Sequence, residues 1–143
     1  MRPVFDRFVI GAGLMVLLVA TACSRPTRSE NFVVSDGSGV YTFELDLSDS
    51  LSMYDLSFYA STDSYKCPRS FPLTIHLISP SGTTYAESLF YDTSAGFLVP
   101  YRKGLTPVEY GVWTLELRTF VDGLMGLGVV CDKVEKEASD SED

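Results

Sequence analysis

From residue 41 to residue 47 the chain alternates without interruption: Tyr41, Phe43, Leu45 and Leu47 are apolar, while Thr42, Glu44 and Asp46 are polar. Successive side chains of a strand point to opposite faces, so a period of two predicts a β-strand with one face buried and one in water. The alternation returns in Tyr54, Leu56 and Phe58 against Asp55 and Ser57, and in Leu73, Ile75 and Leu77 against Thr74 and His76. Trp113, Leu115 and Leu117 against Thr114, Glu116 and Arg118 give a fourth strand, and fainter ones are expected at Tyr85 to Tyr91, Phe97 to Tyr101 and Leu127 to Val134. Turn formers lie between them, in Asp36-Gly37-Ser38-Gly39, Ser79-Pro80-Ser81-Gly82, Ser94-Ala95-Gly96 and Asp122-Gly123. No segment after residue 23 sustains a period of 3.6. Short alternating strands at intervals of about ten residues, with no helix to cross between parallel neighbours, predict an all-β fold: a single antiparallel β-sandwich or barrel.

The amino terminus has a different pattern. Arg2 and Arg7 precede an uncharged run from Phe8 to Ala22 that ends in small residues, as in a secretory signal. The run is short for a membrane span, which needs about 20 apolar residues, and Ser24, Arg25 and Arg28 follow at once. Ala20-Thr21-Ala22-Cys23 resembles the lipobox of bacterial lipoproteins, with Ala20 where that motif prefers Leu, Val or Ile. The resemblance implies cleavage before Cys23 and acylation of its sulfur; an ordinary cleaved signal with a nearby cysteine, or a single amphipathic anchor, is the alternative. Each buried methylene contributes about 0.8 kcal/mol, so two or three acyl chains anchor a protein durably. Ser24 resembles the sorting residue of lipoproteins forwarded to the outer membrane. The stretch Ser24 to Ser29 lacks the acidic cluster of surface-exported ones, so a periplasm-facing, outer-membrane location is expected.

The organisation that follows is a signal peptide over 1–22, a lipid-anchored tether over 23–30, a β-sandwich over 31–134 and an acidic tail over 135–143. The full chain carries −8; Arg2, Arg7 and Asp6 give the signal +1, leaving −9 for the rest. With no basic stripe to displace counterions, nucleic acid is excluded as a partner.

Candidate chemistry is sparse. His76, the one histidine, is read as a solvated strand residue, since neither a Gly-x-Ser-x-Gly elbow nor a His-Glu-x-x-His motif accompanies it. No catalytic residue, metal site or cofactor is assigned. Asp46, Asp49 and Asp55 flank the turn 48–52 but fit no EF-hand spacing, so an ordinary polar turn is preferred to a calcium site. Cys67 and Cys131 remain once Cys23 is acylated; they either form a disulfide or stay free thiols, which depends on whether their Cα atoms approach within about 7 Å. Tyr59, Tyr65, Tyr85, Tyr91 and Tyr101 fall near strand ends or on the weaker faces, where they complete the core or form an aromatic binding surface.

Two family resemblances bear on the fold. Tyr54-Asp55-Leu56-Ser57-Phe58, then Leu73 to Ile78 running into Ser79-Pro80-Ser81-Gly82, then Glu87-Ser88-Leu89, Tyr110-Gly111-Val112-Trp113 and Leu124 to Val129 resemble, in order and spacing, the gliding-motility lipoprotein H family of the Bacteroidetes. The segment between Arg118 and Gly126 is shorter than in that family. Leu73 to Thr83 and Gly111-Val112-Trp113-Thr114-Leu115 are also similar to the proprotein-convertase P domain, a jelly-roll sandwich. Both imply an antiparallel sandwich. The first implies a non-enzymatic accessory lipoprotein of the cell envelope, held to the membrane through Cys23 and acting on a protein partner, with a link to gliding motility or secretion machinery. The alternative is a glycan- or peptidoglycan-binding module.

Overall fold

The computed structural model describes residues 27–135. The signal peptide, Cys23 and the acidic residues after Glu135 lie outside the described residues. Within them are eight strands: β1 (Arg28–Val34), β2 (Val40–Leu47), β3 (Ser52–Thr62), β4 (Ser70–Ile78), β5 (Thr84–Asp92), β6 (Val99–Leu105), β7 (Gly111–Arg118) and β8 (Leu124–Glu135). They form two antiparallel sheets in the orders β1-β8-β3-β6 and β2-β7-β4-β5, which is the jelly-roll arrangement of two interleaved Greek keys. The expected all-β antiparallel sandwich is therefore present.

The alternating residues build the core between the sheets. Phe43 and Leu45 of β2, Leu56 and Phe58 of β3, Leu73 and Ile75 of β4, Leu115 and Leu117 of β7, and Leu127 and Val129 of β8 are all buried. Each such side chain contributes roughly 1.5–3 kcal/mol by leaving water. Their partners on the other face, such as Thr42, Glu44 and His76, remain wholly or partly exposed.

Three boundaries depart from the sequence reading. β1 begins at Arg28, inside the 23–30 stretch read as tether. Its residues do not alternate, because as an edge strand only Val33 turns even partly inward; the ladder to β8, from Arg28 opposite Asp132 to Val34 opposite Gly126, defines it instead. Arg28 adds a two-pronged pairing with Asp132, at 2.7 and 3.0 Å. β6 runs over Val99–Leu105 rather than 97–101, and its register with β3 shifts twice, a bulged edge of the kind that discourages further pairing. β8 extends to Glu135, the first residue of the expected tail.

The connections sort the molecule into two poles. β1 starts beside the end of β8, since Arg28 pairs with Asp132 and Ser52 with Glu135, so the described chain enters and leaves at one end. That terminal pole also carries the short turns 48–51, 79–83 and 106–110. The opposite, loop pole carries the connections 35–39, 63–69, 93–98 and 119–123.

Candidate functional site

The connections at the loop pole interlock through close backbone contacts, with 93–98 joined to 63–69 by Thr93 N–H donating to the Arg69 carbonyl at 2.8 Å and the other three, 35–39, 63–69 and 119–123, gathered around one hollow. Asp63 N–H donates to the Gly123 carbonyl at 2.7 Å, and the Asp63 carbonyl accepts from Lys66 and Cys67. Gly123 adopts φ +83°, and a side chain there would meet the Cys67 amide nitrogen at 2.4 Å, so only glycine lets 63–69 lie against 119–123. Gly39, at φ +74°, is pressed by the Phe120 ring and the Thr119 carbonyl in the same way, and Thr119 N–H donates to the Gly39 carbonyl at 3.0 Å. Thr119 Oγ1 donates to the Pro72 carbonyl at 2.8 Å, tying this connection to β4. The loops are thus fixed before any ligand arrives, which lowers the ordering cost of binding.

A shallow hollow of about 520 Å³ lies between these three loops, with Tyr41 and Thr119 in its lining and Lys66, Phe120 and Asp122 around it. Beside it the pole holds out large apolar side chains: Tyr65 is 98% exposed, Phe120 83% and Phe97 72%. Aromatic residues are the types that dominate the energetic centres of protein interfaces. Phe97 also closes an aromatic row on the outer face of the first sheet. Tyr59 stacks on Phe32 at 5.8 Å and on Phe97 at 5.1 Å, and its hydroxyl donates to Glu30 at 2.9 Å. The row lies on a floor of Gly126 and Gly128, where side chains would collide with the Phe32 and Tyr59 rings.

The sequence-predicted candidates do not converge. Cys131 is buried on β8 opposite Leu56, whereas Cys67 lies in the loop against Gly123, just before β8 begins. Eight residues of strand at about 3.3 Å each put them roughly 25 Å apart, so the bridge left open by the sequence is not formed and both are free thiols. Burial raises both thiols, Cys131 to about 11. His76 stands on the outer face of the second sheet, in register with Glu116 on β7 and Ala86 on β5. The three aspartates are engaged in separate hydrogen bonds: Asp46 accepts from Ser48 N–H and Asp49 from Leu51 N–H and Ser52 Oγ within the turn, whereas Asp55 on β3 accepts from Gly104 N–H on β6. Among the described residues no three His, Cys, Asp or Glu side chains group as metal ligands.

The tyrosines divide. Tyr91 is buried on Phe71, its phenol pushed up to about 12 by desolvation, and Tyr59 is buried in the aromatic row. Tyr65 projects at the loop pole. Tyr85 and Tyr101 border a cleft where β5 ends one sheet and β6 ends the other. The sequence reading missed Phe97, Phe120 and the loop contacts around them; the turn glycines Gly39 and Gly123 were the one available signal. A scan of protein-family models and a search of curated proteins give no match to this chain.

Proposed function

We propose that the protein is a lipid-anchored binding module of the cell envelope, tethered through Cys23 to the periplasmic face of the outer membrane and presenting its loop pole to a protein partner. The supporting observation is the polarity of the fold: the described chain enters and leaves at one pole, and three prearranged loops with exposed Tyr65 and Phe120 occupy the other. A tether at the entry pole turns the aromatic loops away from the bilayer, toward other envelope components. A link to gliding or secretion machinery belongs to this proposal through the family resemblance alone.

The test is site-specific photocrosslinking in envelope membranes of the native host, with benzoylphenylalanine replacing Tyr65, Phe120 or, as control, His76 on the side of the second sheet. A discrete protein adduct at positions 65 and 120 but not 76 is expected. Adducts at 76 alone, or none at any position, refute the loop-pole assignment. Pelleting of the protein with purified peptidoglycan in place of protein adducts would favour the glycan alternative. The mass of the mature amino terminus tests the anchor separately, since an unmodified Cys23 refutes it.

A further inference from the structure

The cleft on the β5–β6 side is built for something other than the loop pole's partner. It has two compartments that share Leu77 and Tyr85. In one, Glu87 of β5 accepts hydrogen bonds from the Tyr101 hydroxyl and from Arg102, both on β6, which keeps its carboxyl below the usual range; this cluster props the two sheet edges at a fixed separation. Arg102 stands where the β3–β6 register shifts, and a bulge there re-aims side chains out of the regular ladder. The other compartment, about 170 Å³, has Leu47, Leu77, Leu105 and Trp113 as its interior and Tyr85 and Val108 at its mouth, and its surface is apolar almost throughout. Val108 is held out in water at 73% exposure, with Tyr110 exposed on the same turn and Leu51 on the 48–51 turn of the same pole.

The occupant follows from chemistry and place. A lining with so few polar atoms offers no partners for the hydroxyls of a sugar or the amides of a peptide, which cost free energy when buried unpaired. Hydrocarbon enters without that penalty, and a dry apolar cavity of about 150 Å³ is known to accept a group the size of benzene. The compartment's lining comes from strand ends and turns at the terminal pole, where Arg28 also lies. Only four residues lie between Cys23 and Arg28, five steps along the chain and a reach of at most about 18 Å when extended. An acylated Cys23 therefore keeps this pole close to the bilayer. We propose, on the premise of the anchored reading, that the cleft takes the end of one hydrocarbon chain of a lipid from the membrane to which the protein is tethered.

Trp113 is the single tryptophan and lines the cleft, so its emission reports occupancy. The full-length lipidated protein is reconstituted into phosphatidylcholine vesicles whose acyl chains are either brominated or plain. Bromine in the cleft quenches Trp113 on contact, so a clear loss of emission is expected in the brominated vesicles. Val108→Asp, which charges the mouth at an exposed turn, should abolish the loss while leaving cosedimentation with vesicles intact; Tyr85→Ser serves if that variant fails to fold. Cosedimentation without quenching, or equal quenching in wild type and variants, overturns the proposal. Quenching by a dissolved peptide bearing bromophenylalanine, but not by brominated lipid, also overturns it and assigns the cleft to a partner's side chain. If the protein fails to cosediment, the anchored reading falls instead. Dissolved bromooctanoic acid then probes the cleft directly: saturable quenching sustains a hydrocarbon site and none refutes it.

Discussion

Replacing Gly128 with alanine adds a single methyl group to the middle of β8, yet it strikes the aromatic row on the outer face. The new Cβ would lie 2.1 Å from Tyr59 Cζ and 2.3 and 2.6 Å from the two ε carbons, where ordinary contact begins near 3.4 Å. The ring cannot yield cheaply, because Tyr59 is only 8% exposed, clamped between Phe32 and Phe97 and hydrogen-bonded to Glu30. It must swing out or shift by more than an ångström, loosening two stacked pairs worth roughly 0.5–1.5 kcal/mol each and exposing a buried ring. Against this, alanine favours an extended strand over glycine by roughly 0.5–1 kcal/mol. The expected net loss is about 2 kcal/mol. Urea unfolding of Gly128→Ala, Tyr59→Ala and the double variant measures it. With Tyr59 already truncated, the glycine substitution should cost nothing or stabilise slightly, so the coupling should be about 2 kcal/mol in the cycle. A Gly128→Ala cost that is the same in both backgrounds would refute the claim that the ring is what this glycine accommodates.

Gly123→Ala combines an unfavourable positive φ with a backbone collision at Cys67, so it should lower the unfolding free energy from urea titration further, by about 3 kcal/mol, and loosen loop 63–69 to proteolysis. In the folded protein Cys131 should resist a thiol reagent at mildly alkaline pH while Cys67 reacts slowly, and the mass should show no disulfide after air oxidation; a 67–131 bridge found by peptide mapping would contradict the fold. Tyr91 has its folded pKa raised to about 12, above the value of about 10 for an unfolded tyrosine. Its contribution is complete below pH 10 and fades as the pH climbs toward 12, at about 1.4 kcal/mol per pH unit, because the unfolded chain releases the proton first. Denaturation between pH 10 and pH 12 should show that decline, and Tyr91→Phe should make it shallower, leaving the share contributed by the buried Cys131 thiol, which burial raises in the same way.

The alternating runs at 41–47, 54–58, 73–77 and 113–118 were sufficient to specify four strands, their buried faces and an antiparallel sandwich, because a period of two has one way to bury its apolar half. The glycine and aspartate turns likewise marked where the chain reverses. β1 was illegible, since an edge strand held by main-chain ladder bonds carries no side-chain pattern to read. Which aromatics are core and which are surface was also undecided: Tyr91 and Tyr65 look alike in sequence, and only the opposing strand that covers one and the loop that lifts the other separate them. The free state of Cys67 and Cys131 likewise required a distance along β8 that no spacing in the chain reveals. Strands are set by local alternation that each segment carries in itself, whereas poles, clefts and thiol separations arise from pairings between residues far apart in the chain, which tertiary structure alone decides.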